Sequence, residues 1–251
     1  MNQRKAKGCG EPVNHRTIVA AERREKTRTK LLKGALCVFA QHGMEAKVIN
    51  LVIKNAGVSR GTFYNYFSTN EELFIEVARE VSNEIIRIVD PLVQQQENPA
   101  ASLACGLVSV LKLARAYPIF SQFVARGGPI AFSAGNMATE AVPREIRAGI
   151  ASGLFTVTDE RLAFDLIIGP VIMAFHTVVN ESVSESYTRG FAQAVLQSLG
   201  VDADSARWYA SKDFDDVTVS EDSLLRTKGS NRAARKGQTT MERPQDFCFD
   251  M

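Results

Sequence analysis

The stretch KVINLVIKNAGVSRGTFYNYFSTNEELF, Lys47 to Phe74, holds the densest local signals in the chain. Val52 and Ala56 are spaced as on one face of a short helix, Gly57 breaks it, and Phe63 and Phe67 anchor a second helix from within. A glycine turn, a small apolar residue after it (Val58) and a second helix with polar residues at its N-terminal end make the arrangement of a helix-turn-helix. The exposed set is Ser59, Arg60, Thr62 and Asn65 around Gly61, with Tyr64 and Tyr66 flanking. Arg can read guanine edges with two hydrogen bonds and Asn can read adenine, while Thr and Tyr hydroxyls suit phosphate oxygens.

Working outward, Leu32, Ala35, Leu36, Phe39 and Ala40 form one buried helical stripe, and Gly43 is placed to end that helix. Phe74, Val77, Val81, Ile85 and Ile88 form another, with Ser68 and Thr69 as cap candidates and Glu71 and Glu72 in the favourable first turn. That helix is expected to run to about Asp90, before Pro91. Ala100 to Tyr117, Ile119 to Ala125, Thr139 to Ser152, Asp159 to Glu181, Ser186 to Leu199 and Asp202 to Ala210 are helix-like in period or composition, and GGPIAFSAG (127–135) reads as a loop. No segment alternates as a strand does, so the expected architecture is all-α.

The formal charge of +2 conceals a division along the chain: residues 1–70 carry 13 Lys and Arg against four Glu and no Asp, and the remainder is net negative. A basic end on an acidic body suggests a nucleic-acid-facing region, although Arg23, Arg24, Lys26, Arg28 and Lys30 could equally form a solvated helix face. Hydrophobic residues at 45% and charged residues at 23% exclude wholesale disorder. Cys9, Cys37, Cys105 and Cys248 are too far apart for a disulfide framework or a zinc ribbon and read as free thiols in a reducing compartment. The N-terminus lacks the apolar core of a secretory signal. Leu166 to Phe175, the most apolar stretch, is ten residues where a bilayer span needs about 20. A cytoplasmic protein with no membrane partner is expected.

Ala35, Phe39 and Gly43, then AGVSRGTFYNYF (56–67), then EELF (71–74), resemble the DNA-binding domain of the TetR family of transcriptional repressors over about residues 25–85. Gly149, Gly153 and Phe155 are similar to a Gly-x-x-x-Gly-x-Phe pattern in the family's ligand-binding half. The chain departs from the family where Val48 replaces a common Thr cap, leaving Asn50 as the alternative. Ile53 stands where a small residue is usual, and Asn70 replaces a Lys that commonly touches phosphate.

The resemblance implies an all-α homodimeric repressor on a palindromic double-stranded DNA operator, with no cofactor. Between a basic arm (1–20) and a disordered tail (212–251), both expected from composition and missing periodicity, lie a three-helix helix-turn-helix domain (21–85) and a helical ligand-binding and dimerisation domain (86–211). Dimerisation is expected through Asp159 to Glu181 and Ser186 to Leu199, by way of Leu162, Leu166, Val171, Ala174 and Val178 on one and Phe191, Val195 and Leu199 on the other. Pro170 is expected to kink the first of these helices. Aromatic and methionine residues are by default core. The resemblance implies that some line a cavity for a small hydrophobic effector, with Phe120, Phe123, Phe155, Met173 and His176 as candidates.

One rival class uses the same residues. Gly57, Ser59 and Gly61 spell G-x-S-x-G, the nucleophile elbow of α/β-hydrolases, yet Lys54, Asn55 and Ala56 separate any strand from the glycine and the surrounding periods are helical. His15, His42 and His176 lack companions at metal-ligand spacing. Neither catalytic nor metal residues are expected. A DNA binder without an effector is the nearer alternative.

Overall fold

The computed structural model describes residues 15–44, 48–132 and 137–226, the side chains of 15–17 and 131–132 excepted. They form α1 (His15–His42), α2 (Val48–Ala56), α3 (Arg60–Tyr64), α4 (Asn70–Val93), α5 (Pro99–Ala116), α6 (Pro118–Gly127), a 3₁₀ turn (Gly128–Phe132), α7 (Ala138–Ala151), α8 (Glu160–Asn180), α9 (Glu185–Ser198) and α10 (Ala203–Ser211), with no strand among the described residues.

Capping residues set most of the helix starts. Thr69 accepts from the N–H of Glu72 at 3.1 Å, and the Glu72 carboxylate reaches back to the N–H of Ser68 at 2.7 Å, a near relative of the capping box. Asn98 before Pro99, Asp159, Ser184 and Asp202 cap α5, α8, α9 and α10 in the same way. Gly43, at φ +66°, ends α1, with its N–H bonded to the Phe39 carbonyl.

α1 packs on α2 through Gly34, where a Cβ would stand 3.1 to 3.3 Å from backbone and Cβ atoms of Ala56. α5 is the central post of the body, packed by α4, α6, α7, α8, α9 and α10, which is why it is buried nearly all round. The N-terminal helices join this body through three aromatic rings. Phe39 of α1 lies 5.1 Å from Phe74 of α4, and Phe123 of α6 stacks on Phe74 at 4.8 Å and approaches Phe39 at 6.5 Å.

Some expectations need correction. α1 begins at His15, so residues 15–20 of the presumed arm are helical, while 1–14 lie outside the described residues. α4 continues through Pro91 to Val93, since a proline this close to the helix end removes one backbone donor while Val89 and Val93 still gain burial. Asn50 lies inside α2 rather than capping it. α5 and α8 are each long and apolar enough to cross a membrane by length and composition, although the longest apolar run in the sequence looked too short. α5 is 67% buried inside the body and α8 only 28%.

The largest difference lies in the presumed tail. Of 212–226, Phe214, Val219 and Leu225 are buried in the same core as the helices. Residues 227–251 lie outside the described residues.

Candidate DNA interface and regulatory cavity

The turn between α2 and α3 is made by Gly57, at φ +64°, and closed by the Val58 N–H on the Ile53 carbonyl at 3.2 Å. Ile53 is itself half-buried against the core. Ser59, in extended conformation, caps α3: its Oγ accepts the Thr62 N–H at 3.0 Å and lies 2.8 Å from Thr62 Oγ1. Phe63 is wholly buried and Phe67 nearly so, which fixes the rotation of this short helix. With that face turned in, Arg60, Gly61, Tyr64 and Asn65 are turned out.

Not every candidate is free to read DNA. The Tyr66 hydroxyl donates to the Arg24 carbonyl at 3.1 Å, with the Arg24 guanidinium 5.9 Å from its ring centre, so Tyr66 ties the turn after α3 to α1. Thr62 is half-buried with its hydroxyl in the cap, and Asn70 is the half-buried first residue of α4. Arg28, from the basic run, ion-pairs with Glu76 and with Glu80 at 3.2 Å, and Arg79 reaches Glu76 at 2.5 Å. This network locks α1 to α4, whereas Arg23, Arg24, Lys26 and Lys30 remain exposed. A hydrolase has no footing here: Ser59 is a helix cap, and no strand leads into it among the described residues.

In the body, α4, α5, α6, α7 and α8 line a partly open cavity of about 130 Å³. Its wall is almost wholly apolar, with Val81, Ile85, Leu103, Leu107, Ile168 and Val171 prominent. At one end Arg144 reaches Asp90 at 2.5 Å and Glu145 at 2.9 Å. Burial works against its charge, but the hydrogen bonds that it donates to the two carboxylates, together with their negative charge, outweigh that and raise the guanidinium pKa.

Phe120 and Phe123 line this cavity, together with Phe175, which sequence reasoning grouped with the general core. Phe155 lies outside it, buried against Gly149, where any Cβ would overlap the Phe155 ring. Met173, 61% exposed, and His176 are on the outer face of α8 and do not meet the cavity. Met173 and His176 sit beside the cavity residues Val171 and Phe175 on α8, and only packing shows which way each face turns, whereas Phe155 lies in the connection between α7 and α8.

The fold and site define a helix-turn-helix protein with a helical body that holds an apolar cavity. Residues 31–77 match the family described as bacterial regulatory proteins, tetR family, and residues 98–212 match the tetracyclin repressor-like C-terminal domain. The chain belongs to the TetR family.

The repressor AcnR of Corynebacterium glutamicum is 30% identical over 73 residues, which is 29% of this chain and 39% of AcnR. The probable acrEF/envCD operon repressor of Escherichia coli is 38% identical over 52 residues, 21% of this chain and 24% of its own. The match to these curated relatives thus spans well under half of their length. The crystal structure of RolR with its ligand resorcinol superposes with a TM-score of 0.62 at 27% identity, covering 79% of this chain and all of RolR.

Proposed function

We propose that the protein is a ligand-responsive transcriptional regulator that binds a palindromic DNA operator as a homodimer. The observation that carries this reading is α3, capped by Ser59 and anchored by Phe63, which presents Arg60 and Asn65 to solvent where base edges of a major groove can be met. Tyr64 stands beside them, with its ring 6.0 Å from the Arg60 guanidinium carbon. The family's composition of DNA-binding regulators supports a cytoplasmic, non-enzymatic role.

The reading is tested by selecting a duplex from a random pool with the purified protein and measuring affinity for it. Arg60→Ala and Asn65→Ala should each cost about 1–3 kcal/mol and relax one position per half-site. Wild-type affinity and sequence preference in both variants would remove α3 from the reading surface.

The effector is a compact, uncharged, apolar molecule of about one ring. A dry apolar cavity of roughly 150 Å³ accepts benzene, which this cavity matches in size and lining. Arg144 already has two carboxylate partners, so a carboxylate ligand would have to displace one of them. Resorcinol in RolR is a single ring as well.

Coupling to DNA runs through Phe123, which touches the cavity and packs on both Phe39 and Phe74. A ligand that favours one position of Phe123 therefore biases α1 and α4, and acts only through its differential affinity for the two arrangements.

The dimer face is the outer side of α8 and α9. Leu162 and Met173 are largely exposed, and Gly169 and Pro170 lie between them on the same side. On α9, Ser186, Gly190, Ala194 and Gln197 are exposed, and a Cβ added at Gly169 or Gly190 would meet nothing within 4 Å. An apolar stripe beside small residues suits close packing on the symmetry mate.

A further inference from the structure

Residues 212–226 leave α10 and cross the body without regular secondary structure, held along their length by helices of both domains. Lys212 meets Glu97 at 2.6 Å and stands 4.2 Å from the Trp208 ring centre. Arg189 pairs with Asp213 at 3.1 Å, and Lys112 of α5 pairs with Asp216 at 3.2 Å. Farther along, Glu84 of α4 accepts the Leu224 N–H at 3.0 Å, and Lys33 of α1 donates to the Asp222 carbonyl at 2.7 Å. Turns at Ser220 to Arg226 close on themselves through the Ser223 hydroxyl and backbone and deliver Leu225, with no exposed surface, into the core.

The contacts are unequal in strength. Asp213 and Asp216 are 99% and 94% exposed, so their ion pairs are weak and screened by salt. The hold comes from Phe214, Val219 and Leu225, and from Glu84 and Lys33, which take backbone groups of the strap as partners. Helical periodicity puts Glu84 on the side of α4 turned away from Val89 and Val93, the side that faces the cavity. One helix thus has the ligand cavity on one face and the strap on the other.

We propose that residues 212–226 form a clasp that regulates the DNA-binding head. α4 is the chain's direct connection between head and body. Beside the packing of α6 on α1 through Phe123 and Phe39, the strap adds a further link, running from α10 over α5 to α1 and α4, and it restrains how the head sits on the body. Head movement then requires the Leu225 seat and the Glu84 and Lys33 bonds to open, which makes the strap a brake in series with the cavity. This proposal rests on the reading of α1 to α3 as a DNA-binding head, but its first test does not involve DNA.

Hydrogen–deuterium exchange on the full chain compares wild type with Leu225→Asp and with Glu84→Leu. Protection of α1 around Lys33 and of the first half of α4 should fall at least tenfold in both variants, with α8 and α9 unchanged and Leu225→Met like wild type. The duplex selected by the wild-type protein should bind several-fold more weakly to the two clasp variants. Unchanged exchange in α1 and α4 would overturn the clasp. Faster exchange with unchanged affinity would overturn its role in DNA binding. If Leu225→Asp does not fold, Glu84→Leu and Lys33→Met, both at half-buried positions, decide the matter by the same criteria. A wild-type protein that selects no duplex would defeat the proposed function, while the exchange result would still report on the clasp.

Discussion

Ser59 stands at the start of a helix of five residues, where the first backbone N–H groups have no intrahelical partner. Its hydroxyl satisfies one of them, and Ser59→Ala should cost about 1 kcal/mol of stability, measured by urea denaturation, with no esterase turnover to lose in wild type. Tyr66 illustrates how a phenol that looks like a phosphate contact becomes a strut once its hydroxyl finds the Arg24 carbonyl. Tyr66→Phe removes that bond at a cost of about 1 kcal/mol and should weaken binding to all duplexes alike. Selective loss at one base pair would return Tyr66 to the reading set. At Gly149 the constraint is space: the Phe155 ring occupies the place of a side chain. Gly149→Ala should lower stability by about 1–3 kcal/mol through overpacking, a cost that Phe155→Leu should partly relieve in a double-mutant cycle.

Among the elements, α8 and α9 differ most from the picture given by periodicity. Val171, Ala174, Val195 and Leu199, expected at the dimer interface, are buried within the subunit. Charges at Val195 and Leu199 would therefore unfold the protein rather than separate its subunits. The surface left for a partner is the opposite side of both helices. Met173→Glu and Ala194→Glu should yield a folded monomer by sedimentation velocity, with operator affinity sharply reduced, because an unpaired charge cannot be accommodated in a packed apolar interface. A variant that keeps its dimer mass would place the interface elsewhere. The cavity offers a parallel test: benzene should raise the melting temperature of the wild type, and Val81→Phe, which fills the cavity, should abolish that stabilisation without changing affinity for the duplex.

At the scale of the molecule, charge is divided between the ends of the chain, with 13 Lys and Arg against four acidic residues in the first 70. Counterion release contributes a slope of about −0.9 per neutralised phosphate to the dependence of log affinity on log salt. A dimer that touches several phosphates per half-site should thus lose orders of magnitude in affinity between roughly 50 and 200 mM salt. Removing residues 1–14, which precede α1, should flatten that slope and leave the preferred sequence unchanged. A changed preference would show that this segment reads bases.

Local chemistry made much of this legible from the sequence alone. Glycine at Gly57, the Ser59 and Thr69 caps and the spacing of Phe63, Phe67 and Phe74 are constraints satisfied within a few residues, so they determine the helix-turn-helix and the all-α class by themselves. The ends of α5 to α10 fall within a residue or two of their expected places for the same reason, whereas α1 begins earlier and α4 ends later than expected. Which face of a long apolar helix looks inward is a different matter, since the exposed Met173 and the buried Phe175 are only two positions apart. The strap was misread because 212–226 is rich in Asp and Ser and has no period. Its few apolar residues gain burial only in the core that the helices assemble, beside α1, α4 and α5, to which the strap is hydrogen-bonded. Composition reports how much a segment can bury, and only the tertiary structure supplies the surface against which it is buried.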